Sequence, residues 1–339
     1  MRELPSWWVT PLIGALGGWL ASLAGWPLPW MVGSLLAVIA ARCSGWLVRE
    51  MPRGRQAGQW IVASGIGLHF TGEVMGEVLA HFGAILAGAL GTLALSLIGM
   101  FILSRGGCDR ATAYFASMPG GASEMVNLAS RNAANPGRVA AAHSLRMLLV
   151  VLVIPAFFTW SLPPVQAPAP LPVDWFWLAV LLPAGGLLAL LWRRFGQPNP
   201  WMLGPLSACA LASAGFDLHV GLPDGLGQVG QWLIGSSLAC HFDRAFFRTA
   251  PLFLLRVLLF TLTAMLVAVA LAAGLGWATA LDETSLMLGM MPGGITELCL
   301  TAEALQLSVA LVTAVQVLRL FLVMFLAEPL FRLWQRATL

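Results

Sequence analysis

Ten long apolar runs separated by short polar stretches order this chain, five before a Pro-rich stretch from Ser161 to Val173 and five after it. The first five lie near 7–25, 30–48, 57–70, 79–104 and 138–160. The second five lie near 175–192, 200–217, 227–242, 249–276 and 308–331. A helix that spans a membrane needs about 20 apolar residues, with a range of about 17–25. The pattern therefore predicts ten spans, of which 57–70 and 227–242 are short and read as tilted or only partly apolar.

Two further segments, near 109–133 and 282–306, are apolar but interrupted. The first holds Met118-Pro119-Gly120-Gly121-Ala122-Ser123-Glu124-Met125, and the second holds Met291-Pro292-Gly293-Gly294-Ile295-Thr296-Glu297-Leu298. Pro removes a backbone donor and Gly-Gly has no side chain to hold a helix, so each motif is a break. Ser123-Glu124 and Thr296-Glu297 then suit a new helix start, with a hydroxyl cap and a carboxylate at the positive dipole end. A broken helix at membrane depth survives only where protein or water covers the freed backbone groups. An acid at that depth is a functional candidate by default. A kink that merely eases packing is the competing reading, and two acid-bearing copies weigh against it.

The breaks belong to a wider duplication. Pro29-Trp30-Met31-Val32-Gly33 returns as Pro200-Trp201-Met202-Leu203-Gly204, and Gly58-Gln59-Trp60-Ile61 returns as Gly230-Gln231-Trp232-Leu233. His69-Phe70 matches His241-Phe242, Asp109 matches Asp282, and Leu145-Arg146 matches Leu318-Arg319. The offset stays near about 172 residues throughout. The chain reads as two repeats, residues 1–165 and 166–339. The Arg2-led apolar start, though it resembles a signal peptide, is expected to be a retained helix, since Gly17-Gly18-Trp19 has a counterpart in Gly185-Gly186-Leu187.

Topology turns on the break segments. If they cross the membrane, each half has six passes and the repeats are parallel. If they dip in and return, each half has five passes and the repeats are inverted. Arginine is enriched on the cytoplasmic side. The re-entrant choice places Arg42, Arg49, Arg105, Arg131, Arg193, Arg244 and Arg332 together inside, with both termini. The outer loops then keep Glu73, Asp174, Asp217, Asp224 and Asp282 and no arginine. A limb of about 10 residues reaches about 15 Å, half of a roughly 30 Å core. The two tips are thus expected to meet near the midplane. The expected fold is an all-α polytopic membrane protein of two inverted repeats, about five spans each plus a broken or re-entrant helix.

Composition agrees, at 59% hydrophobic and 10% charged against about 25% charged in soluble domains. All 18 basic residues are arginine, and a net charge of +3 is too small and scattered to imply nucleic acid. The five cysteines show no metal spacing and read as small buried hydrophobes. Trp60 and Trp232 belong to a set of 15 tryptophans that mostly read as an interfacial belt.

Glu124 and Glu297 are the first candidates to bind a proton or a cationic group, or to pair with arginine; capping their own helix starts is the alternative. Ser123 and Thr296 would cap or touch a solute. The amides beside Gly120, Gly121, Gly293 and Gly294 offer an anion seat at a positive helix end. Arg146 and Arg319 lie deep in apolar helices, where an isolated arginine is costly. They are expected to pair with the glutamates or an anionic solute, unless they snorkel to the interface. Gln59 and Gln231 are candidates for polar lining, and His143 for the cavity that Arg146 faces. Asp109 and Asp282 read as N-caps. A membrane monooxygenase needs clustered histidines and carboxylates, and the five histidines show no H-x-H, H-x-x-x-H or E-x-x-H. Enzymatic activity, a metal and a cofactor are not expected.

The twin Met-Pro-Gly-Gly-x-[Ser/Thr]-Glu motifs, the Pro-Trp-Met-x-Gly helices and the whole-length duplication resemble the AbrB-duplication membrane protein family. That family carries two labels, ammonia monooxygenase and regulator of gene expression. More distantly, Pro119-Gly120-Gly121-Ala122-Ser123 looks like the broken-helix motif of bile-acid symporters and cation/proton antiporters. That likeness implies a crossing rather than a re-entrant element. The symporters' sodium-site asparagines are not evident, so sodium coupling is not implied. The function expected is secondary transport of a small organic solute, an anion by preference, through an elevator or rocking motion, with a proton as a compatible coupling ion. A membrane regulator acting indirectly on gene expression is the alternative. The expected setting is the bacterial inner membrane, and small-residue helices permit a homodimer without requiring one.

Overall fold

The computed structural model describes residues 7–46, 48–162, 171–279 and 281–337, and among them the chain is all-helical. The first half holds α1 (Val9–Leu23), α2 (Pro29–Cys43), α3 (Gly54–Leu68), α4 (Gly72–Ala80), α5 (Phe82–Ser104), α6 (Arg110–Ser117), α7 (Ala122–Arg131) and α8 (Pro136–Ser161). The second half repeats that order with α9 (Trp175–Arg194), α10 (Pro200–Phe216), α11 (Leu226–Ala239), α12 (Arg244–Thr249), α13 (Pro251–Thr279), α14 (Glu283–Met290), α15 (Ile295–Ala304) and α16 (Val309–Ala337). The predicted boundary between residues 165 and 166 lies outside the described residues.

Every predicted run is a helix. Helices α5, α8, α9, α13 and α16 are long and apolar enough to cross a membrane, and the chain is a polytopic membrane protein. The runs read as short become α3, of 15 residues, and α11, of 14. At 1.5 Å per residue each reaches only about 22 Å. The short helices α4 and α12 were not foreseen; α4 buries none of its residues, so no apolar run announces it. The Pro-Trp-Met landmarks are helix starts. Pro29 and Pro200 take the first turn, where the missing N–H is harmless, each after a residue in the left-handed region, Leu28 and Asn199.

The helices group into two compact units, and each takes elements from both halves of the chain. One holds α1–α3 and α9–α12. In it α1 packs on α2 as α9 packs on α10, and α10 packs on α3 as α2 packs on α11. Helices α3 and α11 pack on each other. There a β-carbon on Gly58 would lie 2.7 Å from the Gly230 carbonyl oxygen, so only glycine permits the approach. The neighbouring tryptophans reach across to the opposite half. Trp60 Nε1 donates to Leu182 O at 3.1 Å and Trp232 Nε1 donates to Pro11 O at 2.9 Å.

The other unit holds α5–α7, α8 up to Ile154, α13, α14, α15 up to Glu303, and α16. Helix α5 packs on α13, α6 on α5, and α14 on α13 and α16. Asp109 caps α6 by accepting from Thr112 N, and Asp282 caps α14 by accepting from Ser285 N, each at 2.8 Å. The capped hydroxyl residue then holds the far end of the same segment: Thr112 Oγ1 accepts from Asn135 N at 2.7 Å, and Ser285 Oγ from Ser308 N at 3.0 Å. A straight run from residue 112 to 135 would separate them by about 35 Å at 1.5 Å per residue. Each break segment therefore folds back as a hairpin. The arginine count favoured this arrangement, and the crossing element implied by the symporter likeness is corrected.

Substituting Thr112 by Val orphans the Asn135 N–H at the hairpin mouth. The expected loss is about 1–3 kcal/mol, read as a lowered unfolding midpoint of the purified protein in detergent, and an unchanged midpoint would contradict this closure.

Candidate functional site

Each break frees backbone carbonyls that a continuous helix would have bonded, and lipid offers them nothing. The helix that follows supplies the partners. Helix α8 runs beside α6 so that His143 meets Phe115 and Arg146 meets Met118. Helix α16 runs beside α14 so that Gln316 meets Gly289 and Arg319 meets Met291. Arg146 and Arg319 each follow ten residues after their helix starts at Pro136 and Val309. That is about 15 Å, half of a roughly 30 Å core.

Arg146 Nη1 donates to Met118 O at 3.0 Å. Arg319 Nη1 donates to Met291 O at 2.8 Å, and its Nη2 donates to Gly293 O at 2.7 Å. Both side chains are buried, at 4% and 3% exposure, so neither snorkels. Among the described residues no ion pair joins Arg146 to Glu124. Arginine serves here because its planar fork of donors can reach adjacent carbonyls while staying charged.

The residue three positions earlier completes each clamp. His143 Nε2 lies 3.0 Å from Phe115 O, and its Nδ1 lies 2.9 Å from Arg146 Nη2. A guanidinium has only donors, so Nδ1 accepts and the proton sits on Nε2. Gln316 makes the same pair of bonds with an amide. Its Nε2 donates to Gly289 O at 2.7 Å and its Oε1 accepts from Arg319 Nη2 at 2.5 Å. Gln316 was missed by sequence reasoning, although His143-Ser144-Leu145-Arg146 aligned with Gln316-Val317-Leu318-Arg319 points to it.

The packing of the breaks is crossed. A β-carbon on Gly120 would lie 2.8 Å from Val323 of α16, and one on Gly293 would lie 2.6 Å from Val150 of α8. Each break is thus hydrogen bonded by its own half and packed against the other half's clamp helix. Arg146 and Arg319 feel one another's charge. The second glycine has a different duty. The Glu124 carboxylate folds over Gly121 and the Glu297 carboxylate over Gly294, where any β-carbon would collide with it.

Helices α7 and α15 begin at Ala122 and Ile295, two residues earlier than expected. Gly121 is the N-cap of α7, so Ser123 falls inside the first turn and donates to Glu124 Oε2 at 3.2 Å instead of capping. Glu124 is half-buried and Ser123 exposed, whereas Thr296 and Glu297 are buried. Gln59 and Gln231 belong to the first unit, and Gln59 Nε2 donates to Asn199 Oδ1 at 3.2 Å. The other ten predicted residues fall in the second unit. His69 and His241 bond carbonyls of their own helices, Gly65 and Leu238. At the hairpin mouth burial, then Asp109, pushes the Cys108 thiol up, which suits a packed rather than reactive cysteine.

These features define a helical membrane protein with two clamped hairpins built on one plan. A family model described as "Transition state regulatory protein AbrB" matches residues 30–335, and the chain belongs to that family. "Uncharacterized protein YhjN" of Bacillus subtilis (strain 168) is 26% identical over 95% of this chain and 91% of its own length. "Putative regulator AbrB" of Escherichia coli (strain K12) is 27% identical over 90% of each chain.

Both clamps are testable by substitution. R319L orphans the Gly293 carbonyl, because Met291 O keeps its bonds from Gln316 Nε2 and Gly293 N, and R146L orphans the Met118 carbonyl. At about 1–3 kcal/mol per orphaned acceptor, each should lower the unfolding midpoint to a similar extent. An unchanged midpoint in thermal unfolding of either variant would contradict its clamp.

Proposed function

We propose that the protein is a secondary transporter of a small anionic organic solute, bound between the two Pro-Gly-Gly breaks. The observation that carries this reading is the crossed packing of Gly120 on Val323 and Gly293 on Val150, which brings both breaks into one cluster. Transporters of inverted-repeat design place their sites where such half-helices meet. With the hairpins folded back, each half has an odd number of crossings, which supports inversion. Two positive helix ends and two guanidiniums in one another's field favour an oxyanion. Glu124, reachable from solvent, is the proton or gating candidate, and Glu297 its buried counterpart. The setting is the bacterial inner membrane with both termini cytoplasmic, and the protein transports without chemistry, metal or cofactor.

The name of the Escherichia coli relative favours a second reading, a membrane regulator that binds a ligand and acts on gene expression indirectly. Uptake of small carboxylates and phosphates into proteoliposomes under a pH gradient separates the two. Saturable uptake is expected, reduced about tenfold or more in E124Q and E297Q, the loss of one charge-assisted contact. Binding without flux in the unaltered protein would favour the regulator.

A further inference from the structure

The two clamps look alike but do not hold equally. The His143–Arg146 pair makes two bonds to the first hairpin, at Phe115 O and Met118 O. The Gln316–Arg319 pair makes four to the second, at Gly289 O, twice at Met291 O, and at Gly293 O inside the break. The half-helices after the breaks differ in the same sense. Helix α15 buries every residue from Ile295 to Ala302, whereas α7 buries only Met125 and Ala129.

Their chemistry differs as well. Gln316 cannot change its protonation state. His143 can, and its Nδ1 is the acceptor for Arg146. A proton on Nδ1 would remove that acceptor and set an imidazolium against a guanidinium in a dry site. Proton and clamp therefore exclude one another. Arg146, on the same helix, is the charged group that acts on the imidazole among the described residues, and from α6 the Phe115 carbonyl faces it. A single hydrogen bond, to Met118 O, ties that guanidinium to the first break.

We propose that the hairpins are functionally unequal: the second is a fixed wall, and the first, from Met118 through α7, is a gate released by a proton bound at His143. Helix α6 stays in place, held by its Asp109 cap and by Tyr114, whose hydroxyl donates to Ala327 O at 2.7 Å. The purpose of the gate rests on the transporter reading; its existence does not, and its test needs no substrate.

The test is amide hydrogen exchange of the purified full-length protein in detergent, between about pH 8 and about pH 5, the range in which histidine titrates. H143Q, read at the same pH, removes the intrinsic pH dependence of exchange and restores the bond pattern found at position 316. Peptides covering residues 118–131 should exchange faster than in H143Q as the pH falls, by up to about tenfold per pH unit, the limit for one proton. Peptides covering 291–304 should show no such difference, and Q316H should transfer the response to them. A rise that persists in H143Q, or a second hairpin that opens as readily as the first, overturns the proposal. Should H143Q not fold, Q316H against the unaltered protein decides between the outcomes through the second hairpin. Exchange behaviour as expected without any flux would count against the transporter reading alone.

Discussion

A carbonyl freed inside lipid must find a donor, and this requirement organises the whole second unit. The breaks create such carbonyls at Met118 and Gly293, and two guanidiniums answer them. Desolvating an arginine is costly at this depth, so the clamp is stable only because the break offers fixed acceptors. Remove the break and the arginine is stranded; remove the arginine and the carbonyls are. Each explains the presence of the other.

That mutual dependence also fixes where the hairpins lie. Arg146 and Arg319 each lie ten residues into their helices, so the bonds they make set the two turns at matching levels of α8 and α16. The two glycines of each motif then divide the steric work. Gly120 and Gly293 admit a valine from the opposite half, while Gly121 and Gly294 leave room for the carboxylate of their own half-helix. A side chain at Gly121 or Gly294 would displace only the far end of a flexible glutamate, whereas one at Gly120 or Gly293 would meet a valine packed from the opposite half.

Much of this was legible in the sequence. Period and length gave all ten apolar helices, and the Asp109 and Asp282 caps followed from local spacing. The fold-back of the hairpins followed from arginine placement, an electrostatic signal independent of the resemblance that argued against it. What the sequence hid was the carbonyl partners of the buried arginines. Charge pairing suggested the glutamates or an anionic solute, because side chains can be read from sequence and freed backbone carbonyls cannot. Repeat matching finds equivalent positions rather than shared location: Gln59 and Gln231 both belong to the unit built around the α3–α11 crossing. The N-cap lies two positions before the expected Ser123, because Gly121, with no side chain to cap, takes that position.

The bonding of Arg146 to carbonyl and imidazole rather than to Glu124 changes what the unit can do with charge. An arginine locked to a carboxylate would make a neutral, closed pair with little pull on a solute. An arginine bonded to neutral acceptors keeps its full charge, and Arg319 lies within its field. On the transporter reading we propose, two guanidiniums held by backbone carbonyls are the centre that an anionic solute would occupy. The same carbonyls that the breaks expose allow Arg146 to stay buried without a bond to Glu124.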